Sequence, residues 1–421
     1  MSRLSIALVI IVAGGMQIEA QDALRSALSL DPALASRQNP ELNPRLDQPH
    51  LGPVELSVAA YAGLAFDDNV NESKHAPEGD VISRAGMRLG LRWPATDQSE
   101  LRFSARIGYL QYSPHSQNSG LEISPDSALI YSVAFTGGSL SFFDQFNYWR
   151  EVTTEGSLAN VATLPRLDNT IGARVSWEPS RWVSQFGYSH ENFLSDNAAN
   201  SYLDRASEYL FARGGWRLAE KSEMGLEASG SFTSYRLHIQ SDNQSVSVGP
   251  YADWQVRPSL HIMLRGGPTL YFFGASQRSA GSSDLNSYYA DLELSHQLTD
   301  FLSHQLTVRR DVQPGLNQGS DYVEQLTVNY SLSYALTQRI SVSANVIYEN
   351  GDQPFPVLVL GPFIFEAKEQ FARYGAGPQV SWRFTDKLTG ALSYFHWQRE
   401  SNLPGRTYSE NTVSLSLDYT F

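Results

Sequence analysis

The chain has no cysteine and no uninterrupted apolar run of the length a helical membrane span needs, about 18 residues. The first absence excludes disulfides and a cysteine-linked lipid anchor. The second excludes an internal transmembrane helix. There is no basic excess either: 31 Lys and Arg face 44 Asp and Glu, for a net charge of −13. A phosphate-backbone binder presents a basic surface, so nucleic acid is not an expected partner. The sequence also lacks G-x-S-x-G, H-E-x-x-H and any metal-ligand spacing, and its nine histidines are scattered. No catalytic residue, metal or cofactor is expected. The nearest approaches to a nucleophile–base pair are Ser189 beside His190-Glu191, and Ser393 near His396.

What is present is a fine mixture. Hydrophobic residues make up 42% and aromatics 12%, yet mean hydropathy is −0.30. A sheet with one apolar and one wet face needs this composition. The N-terminus is organised differently. Residues 1–20 have a short basic start with Arg3, an apolar core from Leu4 to Ala13 and a Gly14-Gly15 break. This pattern reads as a secretory signal ending at Ala20. Residues 21–54, broken by Asn39-Pro40, Asn43-Pro44 and Gly52-Pro53, read as a periplasmic arm.

From residue 55 to 421 one grammar repeats. About ten residues alternate in polarity, a tight turn follows, then ten more and a longer polar loop. The second such segment places Ala85, Met87, Leu89, Leu91 and Trp93 on one face, with Arg84, Arg88 and Arg92 on the other. Short turns alternate with long loops throughout. This predicts an all-β, transmembrane, antiparallel up-and-down β-barrel of about 18 strands (roughly 16–18), with short periplasmic turns and long extracellular loops.

The apolar face is nearly free of charge, as hydrocarbon requires. Trp93, Trp177, Trp182, Trp216, Trp254 and Trp382 fall beside short turns with lipid-facing parity. Tyrosines such as Tyr109, Tyr188, Tyr288, Tyr374 and Tyr394 fall near the opposite ends. Trp and Tyr rings prefer the two interfaces, so this sorting predicts two girdles. Asp144 breaks the rule by pointing at lipid, and a bulge at Phe143-Asp144-Gln145 is the preferred way to turn it inward. His296 and His304 share outward parity near a periplasmic turn.

The inward face carries Arg84, Arg88, Arg92, Arg102, Arg106, Arg174, Arg265, Arg373 and Arg383, with Asp253, Asp291 and Glu293 across the barrel. Opposed charge rows would suit a narrow aqueous channel. The alternative is a salt-bridged interior that stiffens the wall. Tyr251, Tyr271 and Trp397 are among a set of inward aromatics able either to stack on sugar rings or to fill space. The acidic connection Asp67-Asp68-Asn69 to Glu72 either holds divalent cations near lipopolysaccharide or is simply solvated. The apolar stretch Phe355–Phe365 either constricts the barrel or extends its strands.

The opening strand Leu56–Phe66 running into Asp67-Asp68-Asn69, and the closing strand Val413–Phe421, resemble those of β-barrel porins encoded with exopolysaccharide synthesis and export genes. The terminal Phe421, with Tyr419 two residues before it, looks like the signal read by the barrel assembly machinery. The resemblance implies an outer-membrane channel passing or exporting saccharide or polysaccharide. Its implied partners are outer-membrane lipid and lipopolysaccharide, the assembly machinery, polysaccharide and periplasmic export components. A non-conducting structural or adhesive barrel is the alternative, closed by 350–370 or by 21–54. A rim hydrolase is the third reading.

Overall fold

Alternating side chains along each segment commit the chain to strands, and tight turns make successive strands antiparallel neighbours. The computed structural model describes residues 50–151, 155–274, 284–360 and 363–421. The expected signal segment and most of the arm lie outside these residues. Eighteen barrel strands follow in chain order, each paired with the next. They are β1 (Val54–Asp67), β2 (Asp80–Thr96), β3 (Ser99–Ser113), β4 (Gly120–Ile123 with Ala128–Phe135), β5 (Gly138–Trp149), β6 (Arg166–Trp177), β7 (Trp182–Ser195), β8 (Arg205–Ala219) and β9 (Ser222–Tyr235). The second half comprises β10 (Asn243–Arg257), β11 (Leu260–Phe273), β12 (Leu285–Gln297), β13 (Leu302–Pro314), β14 (Tyr322–Ala335), β15 (Ile340–Leu360), β16 (Phe363–Arg383), β17 (Leu388–Ser401) and β18 (Tyr408–Thr420). β1 pairs with β18 from Ala59↔Thr420 to Asp67↔Thr412, which closes the sheet and leaves no open edge.

Burial is inverted relative to a soluble protein. Leu226, Val246, Leu264 and Leu392 are more than half exposed on the outer wall, whereas Arg373, Arg399, Glu369 and Glu410 are fully buried inside. An apolar exterior of this extent is stable only against hydrocarbon. The six tryptophans of the expected girdle are all exposed, at the ends of strands entering short turns. His296 and His304 face each other across β12 and β13, with Nδ1 and Nε2 3.2 Å apart.

One local expectation changes, and one open alternative is resolved. β5 keeps an unbroken register past Asp144, so no bulge turns that side chain inward. Asp144 stays on the outer wall, where Asn169 Nδ2 donates to its carboxylate at 2.6 Å. The irregularity lies in the neighbouring strand. In β4 four residues, Ser124–Ser127, oppose only Phe146 and Asn147, and Pro125 enters the lumen. On the β15–β16 hairpin, pairing continues out to Leu360↔Phe363. The described backbone of that stretch extends the two strands.

Candidate functional site

The inward charges are spent on one another. Adjacent strands bring opposite charges within reach, and a low-dielectric wall makes local pairing the stable outcome. Arg84 bridges Glu122 at 2.8 Å and Glu151 at 2.6 Å. Arg88 meets Asp418 at 3.1 Å, and Arg92 meets Glu55 and Glu100. Arg102 also pairs with Glu100, while Arg106 lies over the Tyr61 ring at 4.3 Å. Across the barrel Asp291 takes Arg265 Nε at 3.0 Å, and Asp253 takes His261 at 2.7 Å. Arg373 meets Glu349 at 2.6 Å. Arg174 is buried, and Arg383 and Glu293 are half-buried. The opposed rows expected from sequence therefore resolve into short-range pairs, and the field across the lumen is weaker than a row of bare arginines would give.

The inward aromatics lie flat against the wall. A Cβ on Gly86 or Gly108 would collide with the Tyr61 hydroxyl, and one on Gly215 or Gly225 with the Tyr251 ring or hydroxyl. Glycine at these positions lets a neighbouring ring lie down over the backbone. Tyr251 is 3% exposed and also lies under Arg213, and Tyr271 donates to the Val312 carbonyl. Trp397 is covered by Arg373 at 4.1 Å. These rings fill space and present little free face for a sugar.

The feature that sequence reasoning missed is the β5–β6 loop. Residues 155–165 fold into the barrel and cross it. The Ser157 carbonyl accepts from Gln353 Nε2 on β15 at 3.1 Å, from Asn317 Nδ2 at 3.0 Å and from Arg406 Nη2 at 2.7 Å. Arg399 Nε donates to the Gly156 carbonyl at 3.0 Å. Glu369, fully buried, holds both Arg399 and Arg406 at 2.8 Å. On the near side, Leu158 and Leu164 pack with Phe193, Leu203 and Leu316. A polar loop with two leucines carries no periodic signal. Only the apolar pair, odd in an exposed loop, hints at inward folding.

Loop β1–β2 is also built inward. Asp68 accepts from the backbone N–H and Nδ2 of Asn411, both at 2.7 Å, and Asn69 Nδ2 donates to the Ser409 carbonyl. The Asp67-Asp68-Asn69 step thus stitches the first strand's exit to the last strand's entry. Glu72 is 1% exposed, and its carbonyl accepts from Asn160 of the crossing loop. Burial pushes its carboxyl up to about 8, against the pull of Arg373 and Arg399. Asp67 and Glu72 are thus buried rather than solvated. Among the described residues no group of three or more acids or histidines is placed to hold a metal.

Beside the crossing loop is a cavity of about 50 Å³, bounded by Gln145 and Asn147 (β5), Arg166 and Asp168 (β6), Glu191 and Phe193 (β7), Arg205 (β8), and Gln313 and Gln325 opposite. Glu155 closes it from the loop and meets Arg166 at 2.8 Å. Burial raises the Glu155 carboxyl above its ordinary value, opposed by Arg166. Outside this region His190 bonds Glu208 and His396 bonds Asn411, while Ser189 is buried on the opposite face from His190. Neither histidine forms the serine pair a hydrolase would need.

No family model and no curated relative matches the chain. Solved structures do. Pseudomonas aeruginosa OccK5 (OpdH) aligns over 87% of this chain and 98% of its own, at 12% identity and a TM-score of 0.45. OccK2 (OpdF) from the same organism, in complex with glucuronate, aligns over 89% and 100%, at 11% identity and 0.48. Acinetobacter baumannii OccAB3 aligns over 87% and 99%, at 10% and 0.46. The likeness is one of fold. The closed antiparallel barrel, its apolar exterior and its girdles define an outer-membrane β-barrel.

Proposed function

We propose that this barrel is a narrow channel for small polar solutes, constricted by the β5–β6 loop. The observation that carries this reading is the polar cavity against that loop. Asp168 Oδ1, Glu191 Oε2, Gln145 Oε1 and Asn147 Oδ1 line it and are buried without a protein hydrogen-bond partner. Polar atoms in that condition need water, so the constriction is wet rather than sealed. The anchors on Ser157 hold the loop at a fixed height and so fix the bore.

Saccharide passage, implied by the resemblance to exopolysaccharide-associated porins, rests on inward rings that are mostly covered. A polymer would also require the crossing loop to leave. Small-solute passage is therefore the preferred reading. Single-channel recording of the refolded protein in potassium chloride, followed by liposome swelling with solutes of graded size, tests it. Discrete conductance with a sharp cutoff below trisaccharide size supports it. Silence in every salt would favour the plugged barrel, and current block by long oligosaccharides would favour the polysaccharide conduit.

A further inference from the structure

The cavity beside the crossing loop has a composition that a simple water-filled gap does not require. Arg205 is 7% exposed, and its Nε and Nη1 have no hydrogen-bond partner. Its contact with Glu191 is long, 3.7 Å, and its guanidinium is held by the Phe193 ring at 4.1 Å. Stacking on a ring fixes the plane of the fork while leaving its N–H edges unused. Facing the same space are two buried carboxylates, Glu191 beside the Tyr209 hydroxyl and Asp168 with Oδ2 3.4 Å from Arg166 Nε, whose Oε2 and Oδ1 atoms have acceptor capacity to spare. Leaving charged groups unsatisfied is costly, and the loop closes over them with a third carboxylate, Glu155, rather than with a neutral cap.

We propose that this cavity is a binding site for a small zwitterion, an α-amino acid of about glycine's size, on its way through the channel. The inference rests on the channel reading and names its solute. The ligand carboxylate takes the idle N–H edge of Arg205, and its ammonium takes Glu191 and Asp168. A lone anion would satisfy Arg205, since Arg166 is already engaged by Glu155 and Asp168, and would leave Glu191 Oε2 and Asp168 Oδ1 unfilled. A lone cation would satisfy only the acids. The volume of about 50 Å³ matches a handful of heavy atoms, at about 10–15 Å³ for each water-sized occupant. Glu155 belongs to the loop, so the site exists only while the loop is docked.

The test uses the full-length protein. Radiolabelled glycine binding is measured in detergent micelles, and glycine block of the potassium chloride current is measured in bilayers, with acetate and methylammonium as probes of either charge alone. Saturable glycine binding is expected, with acetate and methylammonium weaker by about tenfold or more. Arg205→Gln and Glu191→Gln should each weaken glycine about tenfold, and Arg205→Lys should restore part of it. Asp144→Asn, on the outer wall, should leave block unchanged. If current flows but glycine neither binds nor blocks, the cavity holds water only, and the site proposal falls while the channel stands. If glycine binds in micelles but no current flows, the site stands and the channel reading falls. Equal affinity for acetate would overturn the zwitterion assignment.

Discussion

The Ser157 carbonyl and Gln353 Nε2 lie 3.1 Å apart, though one sits on the β5–β6 loop and the other on β15, nearly opposite in the strand order. This bond and its companions from Asn317 and Arg406 convert a surface loop into a beam across the lumen. The beam's anchor is tied through Gln353 to the buried pairs on Glu369.

Those pairs should carry stability out of proportion to their number. Arg399 and Glu369 are both fully buried. Arg399→Leu leaves Arg406 as the cation on the carboxylate, beside the neutral donors Gln353 and Ser401, and should cost about 3–5 kcal/mol, the usual penalty for breaking a buried ion pair. Denaturant unfolding in lipid vesicles measures this. A loss below about 1 kcal/mol would mean that the hub is wetter than its geometry indicates.

The seam is a second anchor. Asp68 satisfies two N–H groups of Asn411, so Asp68→Ala strands both and should cost about 1–3 kcal/mol. The expected readout is a lower temperature for the shift from folded to unfolded mobility on unheated gels. An unchanged transition would show that the Asp-Asp-Asn step has another role.

Asp144 gives a prediction of opposite sign. Its carboxylate is held on the lipid-facing wall by Asn169. Asp144→Leu should be neutral or stabilising by up to about 2 kcal/mol in bilayers, since a carboxylate there opposes the hydrocarbon. Clear destabilisation on the same vesicle assay would indicate a partner surface at that position.

Glu72 should set a pH dependence. Its carboxyl rises from an ordinary 4.5 to about 8 because burial disfavours the charged form. The folded state then holds the proton more tightly than the unfolded state. Its contribution is full below about pH 4.5 and is lost as pH rises to about 8. Loop β1–β2 should therefore loosen with rising pH. Glu72→Gln should flatten that trend relative to the native chain, as read by hydrogen exchange of the loop. An identical slope in both proteins would contradict the assignment.

The wall was legible in the sequence because period two is imposed on every strand by lipid on one side. A residue such as Leu89 or Trp93 announces its direction through its neighbours Arg88 and Arg92. The terminal Tyr419 and Phe421, expected as the assembly signal, pack edge to face at 5.1 Å on that same wall. The interior was less legible. Alternation says that Arg88 points inward but not that Asp418 waits beside it, because pairing depends on which strands become neighbours at closure. Apart from its two leucines, the crossing loop left no sign in the sequence, for a different reason. Its position is set by single long-range bonds to the Ser157 carbonyl, and a backbone carbonyl has no sequence signature. The Asp144 expectation failed because a neighbouring asparagine, Asn169, satisfied the carboxylate where it stood.

The most direct test of the account is single-channel conductance of the native chain against a variant in which residues 156–164 are replaced by a short Gly-Ser linker. If the loop sets the bore, the native protein conducts in small discrete steps, and the variant conducts several-fold more with weaker ion selectivity. Equal conductance in the two proteins would contradict the constriction, and with it the central claim.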